Sequence, residues 1–138
     1  MTAKKKTWQE KMHNGKQPEV KRVDKSFADL KEGSAMLIST PTEIDQHVRR
    51  IPAGKTKTVL QLRQELAKQH KADGTCPLTT GIFLRIVSEA ALEEIGAGKA
   101  PEDVTPFWRV VEPDSKLAKK LSCDADFIQI LRQSEGVA

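Results

Sequence analysis

The stretch running from Pro77 to the Gly96-Ala97-Gly98 break constrains this chain most. Ile82, Phe83, Ile86, Val87 and Ala90 recur three to four residues apart between Thr79 and about Ile95. That spacing places apolar side chains along one side of an α-helix. Pro77 stands near the start, where its fixed φ and missing N–H are tolerated, and the glycines end the helix. In a chain of 138 residues, long enough for one domain with a real core, this helix is the long element among shorter ones.

Those shorter elements read as follows. Residues 34–40 are a short apolar run ended by Pro41, which predicts a small strand. Thr42 is a good N-cap, and Ile44, Val48 and Ile51 fall three to four apart, predicting a helix over 42–50 that Pro52 stops. After the turn Ala53-Gly54-Lys55, Thr58 caps a second helix to about His70, with Val59, Leu62 and Leu66 on one face. Lys71-Ala72-Asp73-Gly74 is a loop. Pro106 precedes an expected strand over 107–112, and Pro113-Asp114-Ser115 turns the chain. A last helix over 124–133 should face Phe127, Ile130 and Leu131 inward, with Gly136 closing it. Residues 1–32 are polar and lysine-rich, with Gly15 and Pro18 breaking any long helix. They form an arm, with one or two short helices, that docks on the core without making one. The expectation is therefore an arm at 1–32 and an α-rich α/β domain at 33–138.

Charge narrows the partners. The net charge of +4 is modest, but its distribution is uneven. Residues 1–31 hold nine basic and four acidic side chains. Between 49 and 71, Arg49, Arg50, Lys55, Lys57, Arg63, Lys68 and Lys71 face the single acid Glu65. A local surplus of that kind is expected where phosphates are held; a solvated helical face is the alternative. No apolar run approaches the ~20 residues that span a bilayer, and the lysine-rich start lacks the apolar segment of a secretory signal. Cys76 and Cys123 have no metal or redox spacing, and His13, His47 and His70 are scattered. No metal or cofactor is expected, and free thiols suit a reducing cytoplasm.

Three pieces of the chain carry a resemblance. Ile51-Pro52-Ala53-Gly54-Lys55-Thr56-Lys57-Thr58, Thr105-Pro106-Phe107-Trp108-Arg109-Val110-Val111 and Ser134-Glu135-Gly136 resemble, in that order, the DNA-binding domain of the O6-alkylguanine-DNA alkyltransferases. The likeness covers roughly residues 41–136. It implies a winged helix-turn-helix, whose third helix enters a DNA groove, with the basic arm added. It further implies double-stranded DNA as partner, alkylated guanine as the recognised lesion, and a repair protein as the one recruited. By the same resemblance Lys55, Lys57, Thr58 and Arg63 hold phosphates, Thr79, Thr80 and Gly81 approach the groove, and Arg109 holds the strand or a phosphate. Arg85, one helical turn beyond Gly81 on the same face, reaches toward the DNA or is a solvated helix residue. Val59, Phe107 and Trp108 would border a base pocket.

The departures concern the chemistry. The family's middle piece normally reads Pro-Cys-His-Arg-Val, and its cysteine accepts the alkyl group. Here Phe107 takes the cysteine position and Trp108 the histidine position, and neither side chain can act as nucleophile or base. Val59 replaces a tyrosine, and Gly81 an arginine, that the family uses to flip the base. The resemblance thus implies recognition without transfer, as in the alkyltransferase-like branch, although that branch carries its tryptophan at the cysteine position. On an alternating strand Phe107 should point where the cysteine does and Trp108 opposite, unless both are core. Glu135 matches the glutamate of the family's Cys-His-Glu relay and here would brace the final helix. Two rivals remain. One is a thiol enzyme using Cys76, whose place before a helix start lowers a thiol's pKa. The other is a general DNA- or protein-binding module with no lesion preference. Nothing in the sequence points to an obligate oligomer, so a monomer is expected.

Overall fold

The computed structural model describes residues 7–137; the lysine run at 4–6 of the basic arm lies outside them. It is helix-rich, with one three-stranded sheet, as an α-rich α/β fold requires. The long helix is α4, Pro77–Gly96. It forms the centre because it is apolar on most sides, burying Leu84, Val87, Ala90 and Ala91. Helix α1, Trp8–Met12, and helix α2, Pro41–Arg49, pack against it. Helix α3, Val59–Gln69, packs instead on the sheet, turning Leu62 and Leu66 inward. Short helix α5, Lys116–Lys120, and α6, Ala125–Ser134, close the remaining side.

The arm supplies one edge strand of the sheet, and the domain supplies the other two. Strand β1, Glu19–Arg22, runs antiparallel to β2, Ala35–Ile38, and β2 runs parallel to the two-residue β3, Gly74–Thr75. The expected strand at 34–40 is therefore present, and the end of the expected loop before α4 pairs with it. Within the arm, Met12, Val23 and Leu30 are buried while Val20 and Phe27 are exposed, so docking is partial. Helix α4 anchors α1: the Glu93 carboxylate accepts the backbone N–H groups of Trp8 and Gln9, at 3.0 Å each.

Four details depart from expectation. Helix α2 is capped by Thr40, not Thr42, because Pro41 fills the first helical position and the Thr40 hydroxyl accepts from the Glu43 N–H. Residues 107–112 are not a strand. Phe107–Arg109 is a 3-10 turn, with the Val110 and Val111 N–H groups both donating to the Phe107 carbonyl. Pro106 lacks a donor, and Phe107, Trp108, Val110 and Val111 are all buried, which an alternating strand with one wet face cannot achieve. The rings of Phe107 and Trp108 consequently meet edge to face, with centroids 5.4 Å apart, rather than pointing oppositely. Finally, Ile130 faces solvent, because Ile128 takes the buried place on α6 beside Leu131.

Candidate functional site

The three resembling segments, far apart in sequence, meet around Arg109. Its Nε donates to one Glu135 carboxylate oxygen at 2.9 Å and its guanidinium NH2 to the other at 2.5 Å. The remaining guanidinium nitrogen donates to the Ile51 carbonyl at 2.5 Å. In return the Lys57 N–H donates to the Arg109 carbonyl at 2.9 Å. Gly54 has φ +84°, and a Cβ there would lie 3.1 Å from the Glu135 carbonyl oxygen. The left-handed dihedral favours glycine at this point, and a side chain would also crowd the neighbouring carbonyl. Arg132 adds a second clamp, its Nε donating to the Trp108 carbonyl at 2.7 Å.

Electrostatically the junction is closed. The Arg109 guanidinium, bonded to Glu135, holds that carboxyl below the usual carboxylate range against the opposing effect of burial. The indole N–H of Trp108 lies near the same carboxylate but outside hydrogen-bond geometry. Phe107 is 0% exposed, so a base could occupy its place only if the core opened. A carboxylate locked in a two-pronged ion pair, beside two aromatics, offers neither nucleophile nor proton acceptor.

A second group surrounds α3. Thr58 caps it reciprocally with Gln61: the Gln61 N–H donates to the Thr58 hydroxyl at 3.0 Å, and the Thr58 N–H to the Gln61 side chain at 2.8 Å. Lys57 reaches both Glu65 oxygens, at 2.5 and 2.7 Å. Arg63 is engaged twice, with the Thr75 carbonyl at 2.8 and 3.0 Å and with Asp29 at 2.6 Å. Arg49 pairs with Asp45 at 2.8 Å. Arg50, Lys55, Lys68 and Lys71 are exposed and form no ion pair among the described residues. The charge surplus read from the sequence thus divides into cations that hold the fold and cations that face water. Val59, at the start of α3, is exposed and distant in burial from the Phe107 core.

The third group lies at the start of α4. Thr80 is fully buried, its hydroxyl donating to the Cys76 carbonyl at 2.7 Å, whereas Thr79 is half-buried. Gly81 and Arg85 border a groove of about 530 Å³ that Trp8 also lines. Both Lys11 and Arg85 stand over the Trp8 ring, at 4.1 and 5.5 Å from its centroid. Cys76 occupies the N-cap of α4, is buried, and its thiol donates to no base among the described residues. Burial, with Glu89 and Asp124 nearby, pushes the Cys123 thiol up.

One constellation carried no sequence signal beyond a Ser39-to-Glu43 spacing. The buried Ser39 hydroxyl donates to Glu43 at 2.6 Å, and His70 Nε2 meets the other Glu43 oxygen at 2.5 Å. The carboxylate stands between hydroxyl and imidazole, so the imidazole cannot take the serine's proton. The cluster ties α2 to α3. Among the described residues no group of His, Cys, Asp and Glu could hold a metal ion, and no helix is long and apolar enough to cross a membrane.

No family model, no curated protein and no solved structure matches this chain.

Proposed function

We propose that this chain is a non-catalytic, double-stranded-DNA-binding protein on a winged helix-turn-helix scaffold similar to that of the alkyltransferases. The observation that carries the reading is the junction at Arg109. Residues 51–57, 107–109 and 135 converge on one ion pair, with Gly54, at φ +84°, where a Cβ would crowd the Glu135 carbonyl oxygen at 3.1 Å. A chance likeness of short motifs gives no reason for such convergence.

The DNA contacts follow from the cations that the fold leaves unpaired. Arg50, Lys55, Lys68 and Lys71 would take phosphates, joined by the exposed first turn of α3 at Thr58. Lys57, Arg63 and Arg109, each engaged internally, would position that face rather than touch DNA. Thr79, in the first turn of α4, would lie nearest the groove. Transfer chemistry is absent from this reading, and so is base insertion at Phe107, because that ring is core.

The test is fluorescence anisotropy with two matched duplexes, one carrying O6-methylguanine, across a salt series. Equal affinity for both, falling steeply with salt, is the expected result. A preference of tenfold or more for the modified duplex, about 1.4 kcal/mol, would make the protein a lesion sensor. Failure to bind either duplex at low salt would remove the DNA reading.

A further inference from the structure

Two helix faces of this molecule carry exposed apolar side chains and are oppositely charged at their rims, the second through Ile130 alone. The first is on α4, where Leu78, Gly81, Ile82, Arg85 and Ile86 follow one another at i, i+3, i+4, i+7 and i+8. That is the spacing of a helix seam that meets another helix. Leu78 is 64% exposed and Ile82 50%, so they project rather than floor a closed cavity. Lys11, Arg85 and Lys120 border this groove and no carboxylate lines it. The Arg85 Nε is buried without a hydrogen-bond partner. Gly81 has open space where a Cβ would stand, although glycine inside a helix costs roughly 0.5–1 kcal/mol relative to alanine. No internal packing calls for it, whereas close approach by another backbone would.

The second face is on α6. Ile130 is 60% exposed, one turn after the exposed Asp126 and beside Asp124 and Phe127. Asp124 and Asp126 form no ion pair among the described residues. The two faces adjoin, since Lys120 and Asp124 are four residues apart and so at most about 14 Å along the chain.

We propose that the occupant of the α4 groove is a second copy of this chain, which inserts its α6 face around Ile130 and receives the same insertion in return. Adjacent faces of opposite charge are self-complementary across a two-fold axis, where residue i meets j and j meets i. Each copy's Asp124 and Asp126 approach the other's Lys11, Arg85 and Lys120, and Ile130 packs between Leu78 and Ile82 over the Gly81 backbone. The patch is small, so the dimer is reversible and concentration-dependent. It goes beyond the DNA reading and does not rest on it.

Sedimentation velocity on the full chain at low salt, over a wide concentration range, tests this. The expected result is a reversible shift from the mass of one chain to that of two. Leu78→Glu, Lys120→Glu and Asp126→Lys should each weaken association by about tenfold or more. All three positions are exposed, so circular dichroism should report an unchanged fold. The double variant K120E/D126K restores opposite charges across the interface and should recover most of the lost association. A sedimentation mass of one chain at every concentration overturns the proposal. So does association that the three variants leave unchanged. Capture of an added acidic amphipathic peptide by a chain that does not self-associate would assign the groove to another protein, and overturns it equally.

Discussion

Arg109 and Arg85 teach by contrast. Arg109 donates to a carboxylate with two nitrogens and to the Ile51 carbonyl with a third. Arg85 leaves its Nε without a partner and stands over Trp8 instead. Around the first, aromatic side chains, glycine and carboxylate close against one another. Around the second, leucine and isoleucine project into water between cations. A buried charge is stable only when paired and hydrogen-bonded, so the Arg109 junction serves the fold. Charges that no internal acid answers, beside apolar surface that nothing covers, are free to serve a partner.

Mutations sharpen this contrast in order of expected effect. Phe107→Ala should cost about 4 kcal/mol in urea unfolding, because a fully buried ring leaves a cavity in a packed core. A loss below about 1 kcal/mol would show that the ring is not holding the junction. Arg109→Met should cost about 3 kcal/mol, since it leaves the Glu135 carboxylate little exposed and unpaired. Arg85→Met, by comparison, should stay within about 1 kcal/mol of the parent, and a larger loss would erase the distinction between the two arginines.

Acid gives an independent probe of the same pair. The folded pKa of Glu135 lies below its unfolded value. Its contribution to stability is therefore complete above the unfolded carboxylate range of about 4.3. It fades as pH falls through the folded pKa. Unfolding followed from pH 6 down to about 3 should lose less stability in Arg109→Met than in the parent; parallel curves would detach Glu135 from Arg109.

On the open side the effects are smaller. Gly81→Ala should raise thermal stability, by roughly 0.5–1 kcal/mol, because the backbone is helical and nothing lies within 4 Å of the added carbon. A destabilised variant would mean that the groove is narrower than it stands here. Lys55→Ala and Lys68→Ala should leave stability within about 0.5 kcal/mol. If the DNA reading holds, each lowers the salt slope of duplex binding by about 1, while an unaltered slope would place the phosphates elsewhere.

The sequence by itself determined four of the helices and most of their ends, but gave no sign of α5. Periodicity marked α2, α3, α4 and α6, and the Thr58 cap and the glycine stop after α4 are local events that neighbouring residues settle. It also determined that neither Phe107 nor Trp108 can serve as a nucleophile or a base, wherever they lie. Tertiary structure decided the rest. An apolar run such as 107–111 is compatible with strand or turn until packing selects one, and here all four apolar side chains find a buried place only in a turn. Ile128 and Ile130 are equivalent by composition, and the core had room for one on the buried side of α6. Lys57 and Arg63 read like their neighbours Lys55 and Lys68, yet one pair is bonded inward and the other faces water. That difference arises because Glu65, Asp29 and the Thr75 carbonyl reach them only after the chain has folded. Charge is a property of the sequence, but its neutralisation depends on distance in three dimensions.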